Sequence, residues 1–413
     1  MKKIIEQHLN LSDIKIVKIE TNAHNEIEIS IESTLKGTTC HQCGHEITKP
    51  YGYDRLLRLR HLSLMGSPVY ILVRLPRYQC DHCKKKPKTT QRPNWHKKNS
   101  SFTVPYEEWI LLSAINSTEV DVSQKEGITE EQVKGVVNRH IDSKVDWNKV
   151  ENLVVMGIDE ISLKKGHKSF IVVISSLYEG KKQVLALLKG RKKEKMKDFL
   201  KTIPEKLVKT LQWVCSDMYE GFINASKEVF GDKVHVVIDR FHVAKLYRSK
   251  VDNLRKQEMR RLKKVLSKAE YKKLKGAMWA LRRPWEDLSE EKRQVLITLF
   301  QHSKELEIAY TEMAKLTKIF NESISKASGK RRLKSWIKAI EAGSLTCFTS
   351  FIKTLRYHFD EIANYFVSHK SSGFVEGLNN KIKVIKRRCY GIFRLDHLFQ
   401  RIFLDIQGYA LFK

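Results

Sequence analysis

The sequence predicts a multidomain α/β protein whose mixed five-stranded sheet is interrupted by an all-α insertion. Three observations support this fold class. A strand-rich segment with two Cys-x-x-Cys pairs comes first, apolar strands alternate with amphipathic helices from residue 153, and a long, almost wholly helical region precedes the last helices. At 413 residues the chain is too long for one ordinary core and has room for about two to four domains.

The composition indicates a folded, strongly basic protein. Hydrophobic residues make up 41% of the chain, and 77 Lys and Arg against 47 Asp and Glu give a net charge of +30. A merely basic surface or an acidic membrane could account for this charge. The basic residues are spread over the whole chain rather than one tail or anchor, and this distribution favours a nucleic acid as partner.

The sequence also predicts the compartment. No stretch approaches the roughly 18–20 apolar residues of a membrane-spanning helix, and the N-terminal residues lack the apolar core and cleavage site of a signal peptide. We therefore expect a cytoplasmic protein without a membrane partner, in a compartment where disulfides are rare.

Four of the seven cysteines form two Cys-x-x-Cys pairs, Cys40 with Cys43 and Cys80 with Cys83. Together the pairs can complete a closed tetrahedral zinc site, with a strand hairpin in the long gap between them and a tight turn at Gly44. A redox role is a poorer interpretation, because two copies are present without a thioredoxin-like pattern. The neighbouring His41, His45 and His82 could act as ligands but are expected not to, and Cys215, Cys347 and Cys389 are expected to be buried.

Around these cysteines, residues 1–95 are predicted to form a zinc-binding, β-rich domain with strands near residues 14–17, 26–31 and 69–77. The basic segment 84–100 contains Pro87 and Pro93 and is predicted to be a linker.

Residues 100–145 are predicted to form a helix-turn-helix domain. Helices are expected at 104–115, 120–126 and 130–140, with a turn at Gly127 and a capping box formed by Thr129 and Gln132. Many helical hairpins share this pattern, but its position in a basic protein favours DNA recognition, with helix 130–140 as the candidate reader.

From residue 153 the pattern gives three strands, a helix, a strand, a helix and a strand, which is the element order of a ribonuclease-H-like core. A hairpin turn is expected at Gly180. The first part of this core is predicted at 150–242, the helical insertion at 243–366 and the C-terminal part at 367–413. Within the insertion, Trp279, Trp285 and Trp336 interleave with basic residues, which suits both a solvated bundle with a Trp core and a DNA-tracking surface.

Two aspartates follow apolar strands in this core. Asp159 follows Val-Val-Met-Gly-Ile and Asp217 follows Trp-Val-Cys-Ser. A strand-terminal Asp is often only a turn or cap residue. Two of them at strand ends in this order of elements, however, would converge on one site and could bind hard divalent cations.

A third carboxylate is predicted from the helix at 373–388. Phe374, Leu378, Ile382 and Ile385 share one face, whereas Glu376, Asn380, Lys383 and Arg387 share the opposite one. This second face presents a carboxylate, an amide and cations, which suits a metal ligand beside a phosphate-binding row that Arg388 extends. A solvated surface is the alternative, although no acidic residue follows Glu376 before residue 395.

Other polar residues near these strands are given auxiliary roles. Asp239 also follows a strand and could be a further ligand, an orienting residue or a helix cap. His242, with Arg240, could contact phosphate or a base. Glu160 alternates to the opposite face from Asp159 and is expected to be structural.

Four blocks of the sequence resemble the signature blocks of DDE transposases of bacterial insertion sequences, in particular the ISL-three family. They are GIDEISLKKGH, VCSDMYEGF, VVIDRFHVAK and GFVEGLNNKIKVIKRRCYG. CHQCGH and CDHC resemble the zinc-binding region of that family, so the resemblance extends over nearly the whole chain. It implies a catalytic triad of Asp159, Asp217 and Glu376, a Mg²⁺ or Mn²⁺ cofactor, structural Zn²⁺ and a helical insertion between the second and third carboxylates.

The resemblance further implies binding to double-stranded DNA, both at terminal inverted repeats and at target sites. A metal-activated water would free a 3′-hydroxyl, which would then attack the target DNA without a nucleotide cofactor. Pairing two ends suggests a homodimer, associated with the bacterial nucleoid when bound. Competing hypotheses are a domesticated, non-catalytic DNA-binding regulator, a junction-resolving nuclease and, least supported, an RNA-acting enzyme.

Overall fold

The computed structural model describes residues 2–162, 170–368, 373–389 and 394–412. The chain divides into two compact units, one of Met1–Asp142 with Phe403–Lys413 and the other of Ser143–Ile402. The ends of the GIDEISLKKGH and GFVEGLNNKIKVIKRRCYG blocks lie outside the described residues.

The first unit places a sheet before a group of helices. Its elements are α1 Lys2–His8, β1 Ile14–Thr21, β2 Ile27–Ser33, β3 Thr38–Thr39, β4 Glu46–Ile47, β5 Lys49–Leu64, β6 Ser67–Gln79, β7 Lys88–Thr90, α2 Val104–Ala114, α3 Glu119–Glu126 and α4 Glu130–His140. Strands β1, β2, β6 and β5 follow one another in the sheet, β7 also pairs with β6, and β3 pairs with β4. The three strands expected from the sequence are confirmed.

The predicted hairpin between the cysteine pairs is β5–β6, and its turn is made by Met65 and Gly66, both with positive φ. The predicted linker at 84–100 is wrong, because this segment packs on the sheet. Strand β7 belongs to it, Trp95 is 4% exposed in the sheet's core, and Gln91 donates to the carbonyl oxygens of Leu35 and Gly37.

Helices α2, α3 and α4 match the predicted helices to within one residue. Gly127 ends α3 in the left-handed conformation, and the Thr129–Gln132 capping box is confirmed. Helix α2 adds a buried carboxylate, Glu107, which accepts hydrogen bonds from Ser100, Arg139 and His140. Burial acts to raise the pKa of Glu107, but these hydrogen bonds outweigh it, so that its pKa lies below its usual value.

The second unit contains a mixed sheet and a long helical region. Its elements are β8 Val155–Ser162, β9 Phe170–Tyr178, β10 Lys181–Lys189, α5 Lys193–Leu200, α6 Glu205–Val208, β11 Trp213–Ser216, α7 Glu220–Phe230, β12 His235–Ile238, α8 Arg240–Val265, α9 Lys268–Lys273, α10 Ala277–Ala280, α11 Glu290–His302, α12 Lys304–Asn321, α13 Lys326–Ala342, α14 Thr349–Tyr357, α15 Phe359–Ala363, α16 Tyr365–Ser368, α17 Gly373–Arg388 and α18 Leu395–Phe412, which continues into the first unit. Within the described ranges, no helix is both long and apolar enough to span a membrane.

The strands of the second sheet lie in the order β10-β9-β8-β11-β12. Strands β8, β9 and β10 are antiparallel neighbours, whereas β11 runs parallel to both β8 and β12. The expected turn at Gly180 joins β9 to β10, with Glu179 and Gly180 both at positive φ. The predicted succession of strands and helices is confirmed, with the short α6 added.

Alternation along the strands gives each face of the sheet its own core. Met156 and Ile158 pack with helices α5 and α7 on one face. Val155, Trp213 and Cys215 pack on the other, in a cluster that includes Tyr247 of α8 and continues through the helical region. Because α8 is continuous from Arg240, the predicted insertion boundary at residue 243 falls inside a helix.

Outside the sheet, burial differs among the tryptophans and cysteines named from the sequence. Trp336 is 4% exposed, whereas Trp279 and Trp285 are exposed, so the helical region has one of these tryptophans in its core and two at its surface. Cys215 is buried as expected, but the expected burial of Cys347 and Cys389 is wrong, because both are only partly buried. Cys347 packs against the edge of the helical core, and Cys389 directly follows the last residue of α17.

Replacing Glu107 with Gln should lower the free energy of unfolding by about 3–5 kcal/mol at neutral pH, because Arg139 and His140 lose their anionic partner. The folded-state pKa of Glu107 lies below its reference value of 4.5. Its contribution is therefore complete above that pH and is lost as the pH falls below it. Urea unfolding of the wild type and of Glu107→Gln, at neutral pH and at about pH 3, measures how much stability the substitution removes at each pH. Exposed Glu108→Gln is the control, and an equal loss at both pH values would contradict the assignment.

Candidate active site and zinc-binding cluster

Asp159 and Asp217 lie side by side on neighbouring strands. The parallel register pairs Ile158 with Ser216, so the next residue on each strand is an aspartate. Asp159 shares its strand face with Val155 and Gly157, and Asp217 shares its face with Trp213 and Cys215. Both carboxylates are half-buried on the same face of the sheet.

Their strand positions differ from one another. Asp217 follows the end of β11, as expected, but Asp159 lies inside β8, which continues to Ser162. The prediction that Asp159 ends its strand is wrong, because antiparallel pairing with β9 extends past it.

Burial raises the pKa of both carboxyl groups. The negative charge of Asp217 adds to the rise at Asp159, and that of Glu160 adds to the rise at Asp217. His242 opposes both rises. The two half-buried negative charges are thus only partly offset by neighbouring groups, and a bound cation would stabilise them.

Helix α17 approaches β8 along this face. A Cβ atom on Gly157 would lie 2.1 Å from Cγ2 of Val375, so the glycine permits close contact between helix and strand. Nδ2 of Asn379 donates to Oδ2 of Asp159 at 2.5 Å, and Nζ of Lys386 donates to the carbonyl oxygen of Ser162 at 2.6 Å. From Val375 to Asn379 the helix rises about 6.0 Å, and from Gly157 to Asp159 the strand rises about 6.6 Å. Because these distances are similar, the two contacts can form together.

The two predicted faces of α17 are confirmed. Phe374, Leu378, Ile382 and Ile385 are buried, whereas Glu376, Asn380, Lys383 and Arg387 are exposed. Arg388, grouped with the exposed residues in the prediction, is half-buried. Glu376 thus lies on the helix that packs against the strand of Asp159. The oxygens of Asp159, Asp217 and Glu376 do not all lie within 4.8 Å of one another, since among the described residues only the cysteines form a group of three or more donors that close.

Of the residues given auxiliary roles, Asp239 and Arg240 make structural contacts, whereas His242 lies near the two aspartates. Asp239 is 3% exposed and caps α8 by accepting from the backbone N–H of Phe241, one of the alternatives predicted for it. Arg240 donates to Asn321 and Tyr365. His242, on the first turn of α8, is close enough to both aspartates to influence their pKa values.

Sequence reasoning missed three residues of this site. Gly157 is a lone glycine in an apolar strand, a pattern that signals close backbone approach. Asn379 is a polar residue on the apolar face of α17, and its position there was the available signal. Arg191 forms an ion pair with Glu160, which supports a structural role for that glutamate. Nothing in the local sequence pattern pointed to Arg191.

The predicted zinc ligands converge in the first unit. Sγ atoms of Cys40, Cys43, Cys80 and Cys83 all lie within 4.8 Å of one another. Gly44, at φ 73°, makes the predicted tight turn. Histidines are not part of the cluster, because His45 stacks on His82 and Nδ1 of His41 contacts Oγ1 of Thr89. Four converging thiols in this geometry support a structural Zn²⁺.

Comparisons with known proteins identify the class. The ISL3 family model, described as a transposase, matches residues 156–402, and a model described as the zinc-finger of transposase IS204/IS1001/IS1096/IS1165 matches residues 36–83. The chain therefore belongs to the ISL3 family of insertion-sequence transposases.

Two curated relatives have similar lengths. The transposase for insertion sequence element IS1001 from Bordetella parapertussis is 25% identical, over 93% of this chain and 92% of its own. The transposase for insertion sequence element IS1557 from Mycobacterium tuberculosis is 22% identical, over 90% of this chain and 86% of its own.

Replacing Gly157 with Ala should lower the free energy of unfolding by about 1–3 kcal/mol, because the new methyl group overlaps Val375. Thermal or urea unfolding measures the loss, and Val375→Ala in the same chain should restore part of it. Gly377→Ala is the control, since its Cβ would lie 3.9 Å from the nearest atom, Nζ of Lys182. Full stability of Gly157→Ala would show that helix and strand are not so closely packed.

Replacing Cys80 with Ser should remove bound zinc and destabilise the first unit, because a structural zinc site contributes directly to folding. Metal analysis of the purified chain should find one zinc in the wild type and none in the variant. Cys347→Ser, outside the cluster, should keep its zinc. Retention of stoichiometric zinc by Cys80→Ser would contradict the four-thiolate site.

Proposed function

We propose that this chain is an active DDE transposase that binds the terminal inverted repeats of its insertion sequence and cuts and joins double-stranded DNA. The observation that carries the proposal is the pairing of Asp159 with Asp217 at one level of adjacent parallel strands, beside the helix that bears Glu376. Membership of the transposase family gives these carboxylates their chemical context.

The sheet supports an assignment as a ribonuclease-H-like core. Its order β10-β9-β8-β11-β12 combines an antiparallel half with a parallel half, and the chain passes through the strands in the order expected from the sequence. We propose that residues 150–242 and 367–413 form this core and that 243–366 are its helical insertion.

Asp159, Asp217 and Glu376 are proposed to hold the catalytic Mg²⁺ or Mn²⁺. The donors fit such a hard cation, because they are oxygens and because the two aspartates carry poorly compensated charge. When bound, the metal activates a water or 3′-hydroxyl and neutralises charge on the phosphodiester oxygens. His242 offers an imidazole beside both aspartates.

DNA contacts are proposed on α17 and in the first unit. Asn380, Lys383 and Arg387 are exposed along one side of α17 and suit phosphate binding, with Arg388 at its end. Helices α3 and α4 are proposed as the helix-turn-helix of a 100–145 domain, following a zinc domain at 1–95. In α4, Arg139 and His140 are engaged with Glu107. Lys134, the other basic side chain of α4, lies 3.9 Å from Glu119 and 3.8 Å from Glu130.

A homodimer is proposed because two transposon ends must be held together. The alternative function is a domesticated DNA-binding regulator, which would need the basic surfaces but not the carboxylates. The retained Asp159–Asp217 pair favours the enzyme.

Asp159→Asn, Asp217→Asn and Glu376→Gln should each reduce Mg²⁺-dependent cleavage and strand transfer about a hundredfold or more and leave end binding intact. The assay uses a labelled duplex that carries the element's own end. Glu228→Gln, in α7 of the same unit, is the matched acidic control. Binding without cleavage by the wild type would favour the regulator, and loss of binding in Asp159→Asn would undercut the catalytic assignment.

A further inference from the structure

The side chain of Asn379, on α17, donates a hydrogen bond to the carboxylate of Asp159, and it is 3% exposed. Its orientation follows from chemistry. A carboxylate only accepts hydrogen bonds, so the amide must turn Nδ2 towards Asp159. Oδ1 of the same amide is then fixed within the site, next to the carboxylate.

Oδ1 of Asn379 is itself unsatisfied. It is buried, and no hydrogen-bond donor reaches it in the described ranges. Buried carbonyl oxygens without a partner are rare and unfavourable, so each one needs a physical explanation. Amide oxygens are ordinary ligands of hard divalent cations, which makes a cation a suitable partner.

We propose that Asn379 positions Asp159 through Nδ2 and supplies Oδ1 as a neutral oxygen ligand to the divalent cation held by Asp159. This inference rests on the proposed function, since it concerns the same cation. It also couples metal binding to the packing of α17 on β8, because Asn379 lies four residues after Val375, and Asp159 lies two after Gly157.

The proposal predicts different effects for substitutions at Asn379 and at the adjacent Asn380. Asn380 has the same side chain one position along the helix, but it is exposed. A purely helical effect of losing an Asn would be similar at both positions, whereas an effect on the cation should appear only at Asn379.

The test measures Mn²⁺ affinity by calorimetry and by the paramagnetic signal of free Mn²⁺. It uses the zinc-loaded full chain without DNA, so that catalysis is not involved. Asn379→Leu should bind Mn²⁺ about tenfold or more weakly, because both the orienting hydrogen bond and the oxygen ligand are lost. Asn379→Asp keeps an oxygen in the same place and should retain Mn²⁺ binding, but it should unfold at a lower temperature without the ion, because like charges then face each other. Asn380→Leu is the matched control and should bind as the wild type does.

Wild-type Mn²⁺ affinity in Asn379→Leu, with weakened affinity in Asp159→Asn, would overturn this inference and leave the proposed function standing. Wild-type affinity in Asp159→Asn as well would overturn the cation site itself. If Asn379→Leu does not fold, Asn379→Asp decides, since loss of Mn²⁺ binding in that variant would also overturn the inference.

Discussion

The close contact between helix α17 and strand β8 at Gly157 sets the geometry of the candidate site. A helix normally stands off a sheet by the thickness of the side chains between them. Here the missing Cβ admits Val375 to the strand surface, and that short distance brings the amide of Asn379 within hydrogen-bonding range of Asp159. The same contact helps to fix the helix that carries Glu376 relative to the strand that carries Asp159.

A second constraint is electrostatic. Parallel pairing of β8 with β11 puts two carboxylates at the same level, where burial and mutual repulsion both disfavour ionisation. Such an arrangement is unfavourable in isolation and becomes favourable when a divalent cation is shared between the groups. A metal ion would stabilise the cysteine cluster in the same way, because four thiolates this close together repel one another unless they bind zinc.

Much of the fold could be predicted because its periodicities are strong. Apolar runs located β8, β11 and β12, and the 3.6-residue pattern gave both faces of α17. The prediction failed where long-range packing decides the outcome. Residues 84–100 contain Pro87 and Pro93 and have the composition of a linker, but the burial of Trp95 depends on a sheet whose position the local pattern does not reveal. The sequence likewise pointed to Asn380 and not to Asn379. Periodicity predicts which side of a helix is buried, but it does not predict which buried polar side chain bonds to a residue such as Asp159.

The last helix has a consequence for how the protein is made. Leu404 is completely buried among the residues of α2 and α4, and Oδ1 of Asp405 accepts a hydrogen bond from the backbone N–H of Asn116. The core of the first unit therefore includes residues at the opposite end of the chain. During synthesis, α2, α3 and α4 leave the ribosome well before the segment that completes their core. The helices proposed to bind DNA thus reach their final packing only after the second unit has been translated, so a prematurely terminated chain would lack part of that core.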